Sequence, residues 1–121
     1  MPEFSANLSL LFTEIELCQR FERAARAGFD TVEVQFPYEI ELKTLKRLLL
    51  EFELQLDLIN LPAGDWAAGD RGIACDPLRV EEFNQGVELA IAYAKELGCP
   101  QVNCLAGIKP QAISSAQALN T

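Results

Sequence analysis

Three asparagines, Asn7, Asn60 and Asn103, each stand where a stretch of alternating apolar residues runs out. A side-chain amide carries donors and an acceptor, which suits it to orienting a small polyhydroxylated or oxo-acid molecule. The same amide can instead satisfy backbone groups where a strand enters a loop. Three of them at equivalent points favour a shared polar pocket. Glu33, set between Val32 and Val34, is a further polar group within an apolar strand. A buried carboxylate needs a partner or a metal, and a structural ion pair is the expectation for this one.

The stretch from Asn60 to Pro77, NLPAGDWAAGDRGIACDP, holds glycines at 64, 69 and 72, Asp65, Asp70, Arg71 and the chain's single Trp, Trp66. Loops longer than about 12–15 residues inside compact domains are usually functional or disordered. Its glycines fit neither GxxxxGK[ST] nor GxGxxG, so it is not a phosphate cradle. The expectation is a mobile lid, with Trp66 as its apolar surface. Asp65, Asp70 and Arg71 would hold it closed through mutual ion pairs or meet the ligand. A solvated disordered loop is the alternative, and Trp66 tells against it.

What is missing narrows the chemistry. The chain has no His, so no Ser-His or Cys-His arrangement exists and His-containing zinc sites are excluded. Its four cysteines, at 18, 75, 99 and 104, form no CxxC pair. Cys18 on a helix stripe and Cys104 in a strand are expected to be buried free thiols, which fits a reducing compartment. No pair of acidic residues on neighbouring strand ends suggests a metal cage. The 18 acidic and 10 basic residues give a net charge of −8. That argues against nucleic acid and anionic membranes as partners, because both require a basic face. MPEFSANLSLLF has no basic n-region and no apolar run of signal or spanning length, so a cytoplasmic location is expected.

These residues need elements to position them. EFSANLSL alternates as a short strand, with Phe4, Ala6 and Leu8 on one side. Thr13 is a candidate N-cap, with Glu14 and Glu16 in the first turn. Ile15, Cys18, Phe21, Ala24 and Ala25 follow at helical spacing, and Gly28 supplies the stop. TVEVQF is a second strand, broken at Phe36-Pro37-Tyr38. Leu42, Leu45, Leu48, Leu49 and Phe52 mark a second helix, and Leu54 to Asn60 a third strand. Asp76-Pro77 has the form of an N-cap and first helical position. The helix that follows has an inner stripe of Phe83, Val87, Ala90, Ile91 and Ala94 and ends at Gly98. Residues 101–105 are a fourth, buried strand, and Ser114 or Ser115 caps a last helix. ARAGFDTVEV and KELGCPQVNC repeat the pattern of helix stop feeding a strand. Alternation of this kind implies parallel strands with helical crossovers. Either a small open α/β sheet or the first half of a (β/α)8 barrel satisfies it. A whole barrel needs about 250 residues. QAISSAQALNT runs out in a helical pattern, which favours the half barrel.

FSANLSLLF, GFDTVEVQFPY, INLPAGDWAAGDRGIACDP and VNCLAG together resemble the hydroxypyruvate isomerase family, and within it the 2-oxo-tetronate isomerases. The resemblance covers essentially the whole chain. It implies an α/β fold that is the N-terminal half of a (β/α)8 TIM barrel of the xylose-isomerase-like kind. Residues 1–121 would then be a single incomplete domain of four parallel βα units. It also implies an aldose–ketose type isomerase of a small hydroxy-oxo acid such as hydroxypyruvate or 2-oxo-tetronate. In the family a divalent metal ion, held by Glu, Asp and Gln or His, polarises the carbonyl while two glutamates move the proton. By resemblance those residues lie beyond Thr121. No catalytic residue and no metal ligand is therefore assigned to this chain, and activity from it alone is not expected. Substrate-binding positions carry over to Asn7, Phe12, Tyr38, Asn60, Asp65, Trp66 and Asn103. Asn103 replaces a His common among hydroxypyruvate isomerases, which favours the oxo-tetronate group. The alternative function is a self-sufficient, non-enzymatic α/β module that binds a small polar ligand. Under either reading, exposed sheet edges invite self-association.

Overall fold

A computed structural model describes residues 2–121. Four strands, β1 (Ser5–Asn7), β2 (Thr31–Val34), β3 (Gln55–Asn60) and β4 (Gln101–Asn103), form one sheet in the order β1-β2-β3-β4. All three pairings are parallel. Helices α1 (Leu17–Arg26), α2 (Leu42–Glu51) and α3 (Val80–Leu97) connect them, with a short 3-10 turn at Pro37–Glu39 and a last helix α4 (Ser115–Leu119). The expected alternation of strand and helix is therefore present.

The core lies between the sheet and the first three helices. Ala6, Leu8, Val32, Val34, Leu56 and Ile59 project from the sheet. They meet Phe21 and Ala24 of α1, Leu45, Leu48 and Leu49 of α2, and Tyr93 and Ala94 of α3. Phe4, expected beside Ala6 and Leu8, is instead 73% exposed, because it precedes the paired part of β1. In α3 Tyr93 takes the inward position and Ile91 faces out. The Tyr93 hydroxyl donates to the Ile40 carbonyl at 2.9 Å, tying α3 to the segment that enters α2.

Two helix starts differ from expectation for one physical reason. Thr13 does not cap α1, which begins after Glu16 with no side-chain cap. Arg20 intervenes: its Nε donates to the Ile15 carbonyl and its Nη1 to the Leu8 carbonyl, both at 2.8 Å. These bonds hold residues 12–16 in turns. Likewise Asp76 does not cap α3. Its Oδ1 accepts from the Leu78 amide at 3.0 Å in a local turn, and the helix starts at Val80. Arg79, at the junction, is held by Asp70 and Glu82. The predicted stops do hold: Gly28 and Gly98 adopt φ of +92° and +65°.

The fourth strand is shorter than expected and not buried. Gln101, Val102 and Asn103 are all exposed, because β4 is an edge and α4 buries none of its residues. Cys104 is accordingly exposed, against the expected buried thiol, and Cys18 is only half-buried. Cys99 is buried, and burial pushes its thiol pKa up. Ser114 caps α4 in a reciprocal capping box with Gln117.

Candidate functional site

In a parallel α/β sheet, ligands bind at the carboxyl ends of the strands, and the chemistry depends on which side chains face away from the helices there. A regular strand would turn Leu56, Leu58 and Asn60 to the same face. The register between β2 and β3 slips at Val32/Glu33: Val32 pairs with Leu56, whereas Glu33 pairs with Leu58. Asp57 is the extra residue of this bulge. Beyond it the phase reverses, so Ile59 enters the core and Leu58 and Asn60 move to the open face. The bulge thus brings Asn60 beside Asn103, its register partner on β4.

The open face holds a hollow of about 240 Å³ lined by Asn7, Glu33, Gln35, Leu58, Asn60 and Asn103 among others. All three predicted asparagines meet there. Asn103 Nδ2 donates to Asn60 Oδ1 at 3.0 Å. Asn7 Oδ1 accepts from the Ser9 amide at 3.0 Å, and its Nδ2 donates to Glu33 Oε2 at 3.4 Å. Backbone bonds fix the frame: the Asn60 amide donates to the Gln35 carbonyl at 2.9 Å and the Leu61 amide to the Asn103 carbonyl at 2.8 Å. Glu33 does not form the expected ion pair. No Lys or Arg among the described residues lies within 4.0 Å of its carboxylate. The reason is its face: it points away from the helix layer, which carries seven of the ten basic residues.

A second hollow, of about 580 Å³, lies between the loops that follow β2 and β3. Phe36, Tyr38, Glu39, Pro62, Asp65 and Trp66 line part of it. Tyr38 connects the two hollows, since its hydroxyl donates to the Asn60 carbonyl. Burial, foremost, pushes the Tyr38 pKa up, so the phenol stays protonated as a donor. Phe12 is in neither lining. It packs against the helix-side core with a left-handed backbone, φ +59°, unusual for a bulky residue.

The long loop is braced by hydrogen bonds, though not through the expected ion pairs among Asp65, Asp70 and Arg71. Asp70 Oδ2 accepts from the Asp65 amide at 2.7 Å and from Arg79 Nη1 at 2.8 Å. Arg79 also grips both oxygens of Glu82, at 2.7 and 2.8 Å. These bonds from Arg79 hold the Asp70 and Glu82 pKa values below the ordinary carboxylate range. Asp65 spends one carboxylate oxygen on the Ala68 amide at 3.0 Å, within its own turn. Arg71 pairs with no carboxylate. Its guanidinium lies 3.9 Å from the Trp66 ring centroid and donates to the Trp66 and Asp70 carbonyls. The Trp66 ring meets Phe36 at 5.1 Å. At the far end the Gly72 amide donates to the Ala63 carbonyl at 3.0 Å and the Cys75 amide to the Ala106 carbonyl at 2.9 Å.

Residues 21–121 match the family described as xylose isomerase-like TIM barrel. The chain belongs to that family. The hydroxypyruvate isomerase of Escherichia coli (strain K12) is 54% identical over 117 residues, which are 97% of this chain and 45% of that protein. The 2-oxo-tetronate isomerase of Haemophilus influenzae is 40% identical over 94% of this chain and 44% of its own length. A crystal structure titled as an AP endonuclease, family 2, from Brucella melitensis superposes with a TM-score of 0.94 at 39% identity, covering 99% of this chain and 46% of that one. The chain spans less than half the length of these relatives. Its four βα units therefore correspond to about half of a xylose isomerase-like barrel, as the sequence implied.

The site residues that sequence reasoning missed are Gln35, Leu58 and Arg79. Gln35 was legible from its alternation with Val34, and Arg79 from Glu82 three residues on, at helix-pair spacing. A divalent metal fits no set here: among the described residues no three His, Cys, Asp or Glu side chains converge. Glu33 is the sole carboxylate of the asparagine hollow.

Proposed function

We propose that this chain forms the first four βα units of an isomerase acting on a small hydroxy-oxo acid of the hydroxypyruvate or 2-oxo-tetronate type, and that it supplies the substrate-positioning wall of the pocket. The convergence of Asn7, Glu33, Asn60 and Asn103 on one open face at the carboxyl ends of the strands carries this reading. The names of the relatives supply the substrate class. Amide donors suit the oxygens of a carboxylate or a keto group, and a carboxylate suits a hydroxyl. Aldose–ketose isomerisation moves a proton between adjacent carbons, so the substrate must be held in one orientation before a base can act. The metal and the two glutamates implied by resemblance have no counterpart on this face, and no step is assigned to them. Association through the exposed β1 and β4 edges and a cytoplasmic location belong to the same reading.

The test is a chimera. The corresponding segment of the Escherichia coli hydroxypyruvate isomerase is replaced by this chain, and conversion of hydroxypyruvate and of 2-oxo-tetronate is followed by loss of the 2-oxo acid. The expected result is turnover of at least one substrate. Asn60→Ala should lower kcat/KM by about tenfold, the equivalent of one lost hydrogen bond to a charged group. A folded chimera that converts neither acid refutes the proposal.

A further inference from the structure

The asparagine hollow has two unlike ends. Glu33 pairs in register with Asn7 on one side and Leu58 on the other. It is the only charged residue in the lining, with no basic partner and a single long hydrogen bond, from Asn7 at 3.4 Å. Asn60 lies two residues beyond Leu58, about 7 Å further along the strand direction. Asn60 is 93% buried, at 7% exposure. Its Oδ1 is taken by Asn103, while its Nδ2 donates to no described residue. Among the described residues Ser5 Oγ alone is a buried side-chain polar atom without a partner, so the Asn60 Nδ2 opens to the hollow and is free to donate to an oxygen that enters it. The hollow therefore offers a carboxylate with one long hydrogen bond and no cation at one end, and a neutral amide donor without a protein acceptor at the other.

Resting on the reading that this face binds a hydroxy-oxo acid, we propose that Glu33 is a specificity-determining residue that fixes the direction of the bound acid. Its carboxylate accepts the substrate's terminal hydroxyl and repels a second carboxylate. The acid's own carboxylate then lies against Asn60 and Asn103. The site selects monocarboxylic hydroxy acids and rejects dicarboxylates of the same length. Two carboxylates held together in one small hollow with no cation between them repel each other, so one charge suffices for the discrimination.

The experiment uses this chain with 15N-labelled side-chain amides at pH 7, titrated separately with glycerate and with tartronate, which places a carboxylate at both ends of a three-carbon acid. Shifts of the Asn60 and Asn103 side-chain amides give the two dissociation constants. In the wild-type chain glycerate should bind at least about tenfold more tightly than tartronate. In Glu33→Gln, which keeps the shape and removes the charge, that ratio should fall about tenfold, mostly through tighter tartronate binding. Loss of packing alone would weaken both acids together and leave the ratio where it was. Equal affinities in the wild-type chain, a ratio unchanged in E33Q, or no shift of the Asn60 amide with either acid each overturn the assignment. The wild-type comparison stands even where E33Q does not fold. A discriminating chain whose chimera is inactive refutes the isomerase reading and leaves Glu33 its role; an active chimera without discrimination does the reverse.

Discussion

Gly72 is a residue on which the brace between the long loop and the segment after β4 depends, and Gly72→Ala should be among the most damaging single-methyl changes in the chain. Its φ is +104°, and an added Cβ would stand 2.2 Å from the Leu105 carbonyl oxygen and 2.6 Å from Leu105 Cβ. The nearest obstacle is backbone, so the two segments must part. Separation breaks the bond from the Cys75 amide to the Ala106 carbonyl and strains that from Gly72 to Ala63. Each is worth about 1 kcal/mol net. The left-handed backbone adds about 1–2 kcal/mol for a residue with a Cβ. The sum is about 3–4 kcal/mol, a large share of the roughly 5–15 kcal/mol by which a domain is stable. Gly28→Ala is the control: its φ of +92° brings a similar backbone cost, but nothing lies within 4 Å of its Cβ. It should lose only about 1 kcal/mol. Gly107→Ala closes the same contact from the other side, where the Cβ would stand 2.2 Å from the Gly72 carbonyl oxygen. The double variant should therefore lose less than the sum of the singles. Urea unfolding followed by circular dichroism gives all four values. A Gly72→Ala loss within about 0.5 kcal/mol of the Gly28→Ala loss, roughly the scatter of such measurements, would refute the clash argument.

Acid should loosen the loop at its other end. The Asp70 pKa is held below its ordinary 3.8 by Arg79, so the brace contributes fully above pH 3.8 and is lost as pH falls through the lower folded value. Emission from Trp66 should change in that acid window while the helical signal persists, and Arg79→Ala should abolish the step. An acid step of equal size in Arg79→Ala would show that another group is responsible. Tyr38→Phe removes the hydroxyl that donates to the Asn60 carbonyl and should destabilise by about 1 kcal/mol. It should also shift the Asn60 and Asn103 side-chain amide resonances; unmoved resonances would separate Tyr38 from the asparagine hollow.

The order of elements was legible because it is written locally: Gly28 and Gly98 stop helices, and each feeds a β-branched or apolar strand. Caps were legible only where no tertiary bond competes. Ser114 caps α4 because only Gln117 is involved, whereas Thr13 and Asp76 yield to Arg20 and Arg79, whose partners lie outside the local turn. The bulge at Asp57 had no local signal, since LQLDLIN alternates as a regular strand would. Its existence is a property of the pairing with β2, yet it decides whether Asn60 faces the core or the open side. The expectations for Glu33 and β4 failed where helices leave the sheet uncovered, Glu33 on the open face and β4 at the edge that α4 does not bury. Burial rules presume that both faces of a strand are covered, and here α1, α2 and α3 cover one. On that covered face the rules worked, with Val32 and Val34 nearly inaccessible. On the other face polar residues stand where a closed barrel would hold its lumen, so Glu33 needs no structural cation. Val102, the register partner of Ile59, lies on the helix side but at the uncovered β4 edge, and is 39% exposed. Asn7, Glu33, Asn60 and Asn103, on the face the helices leave open, stand at or beside the carboxyl ends of the strands, where a ligand-binding role competes with packing for the choice of side chain.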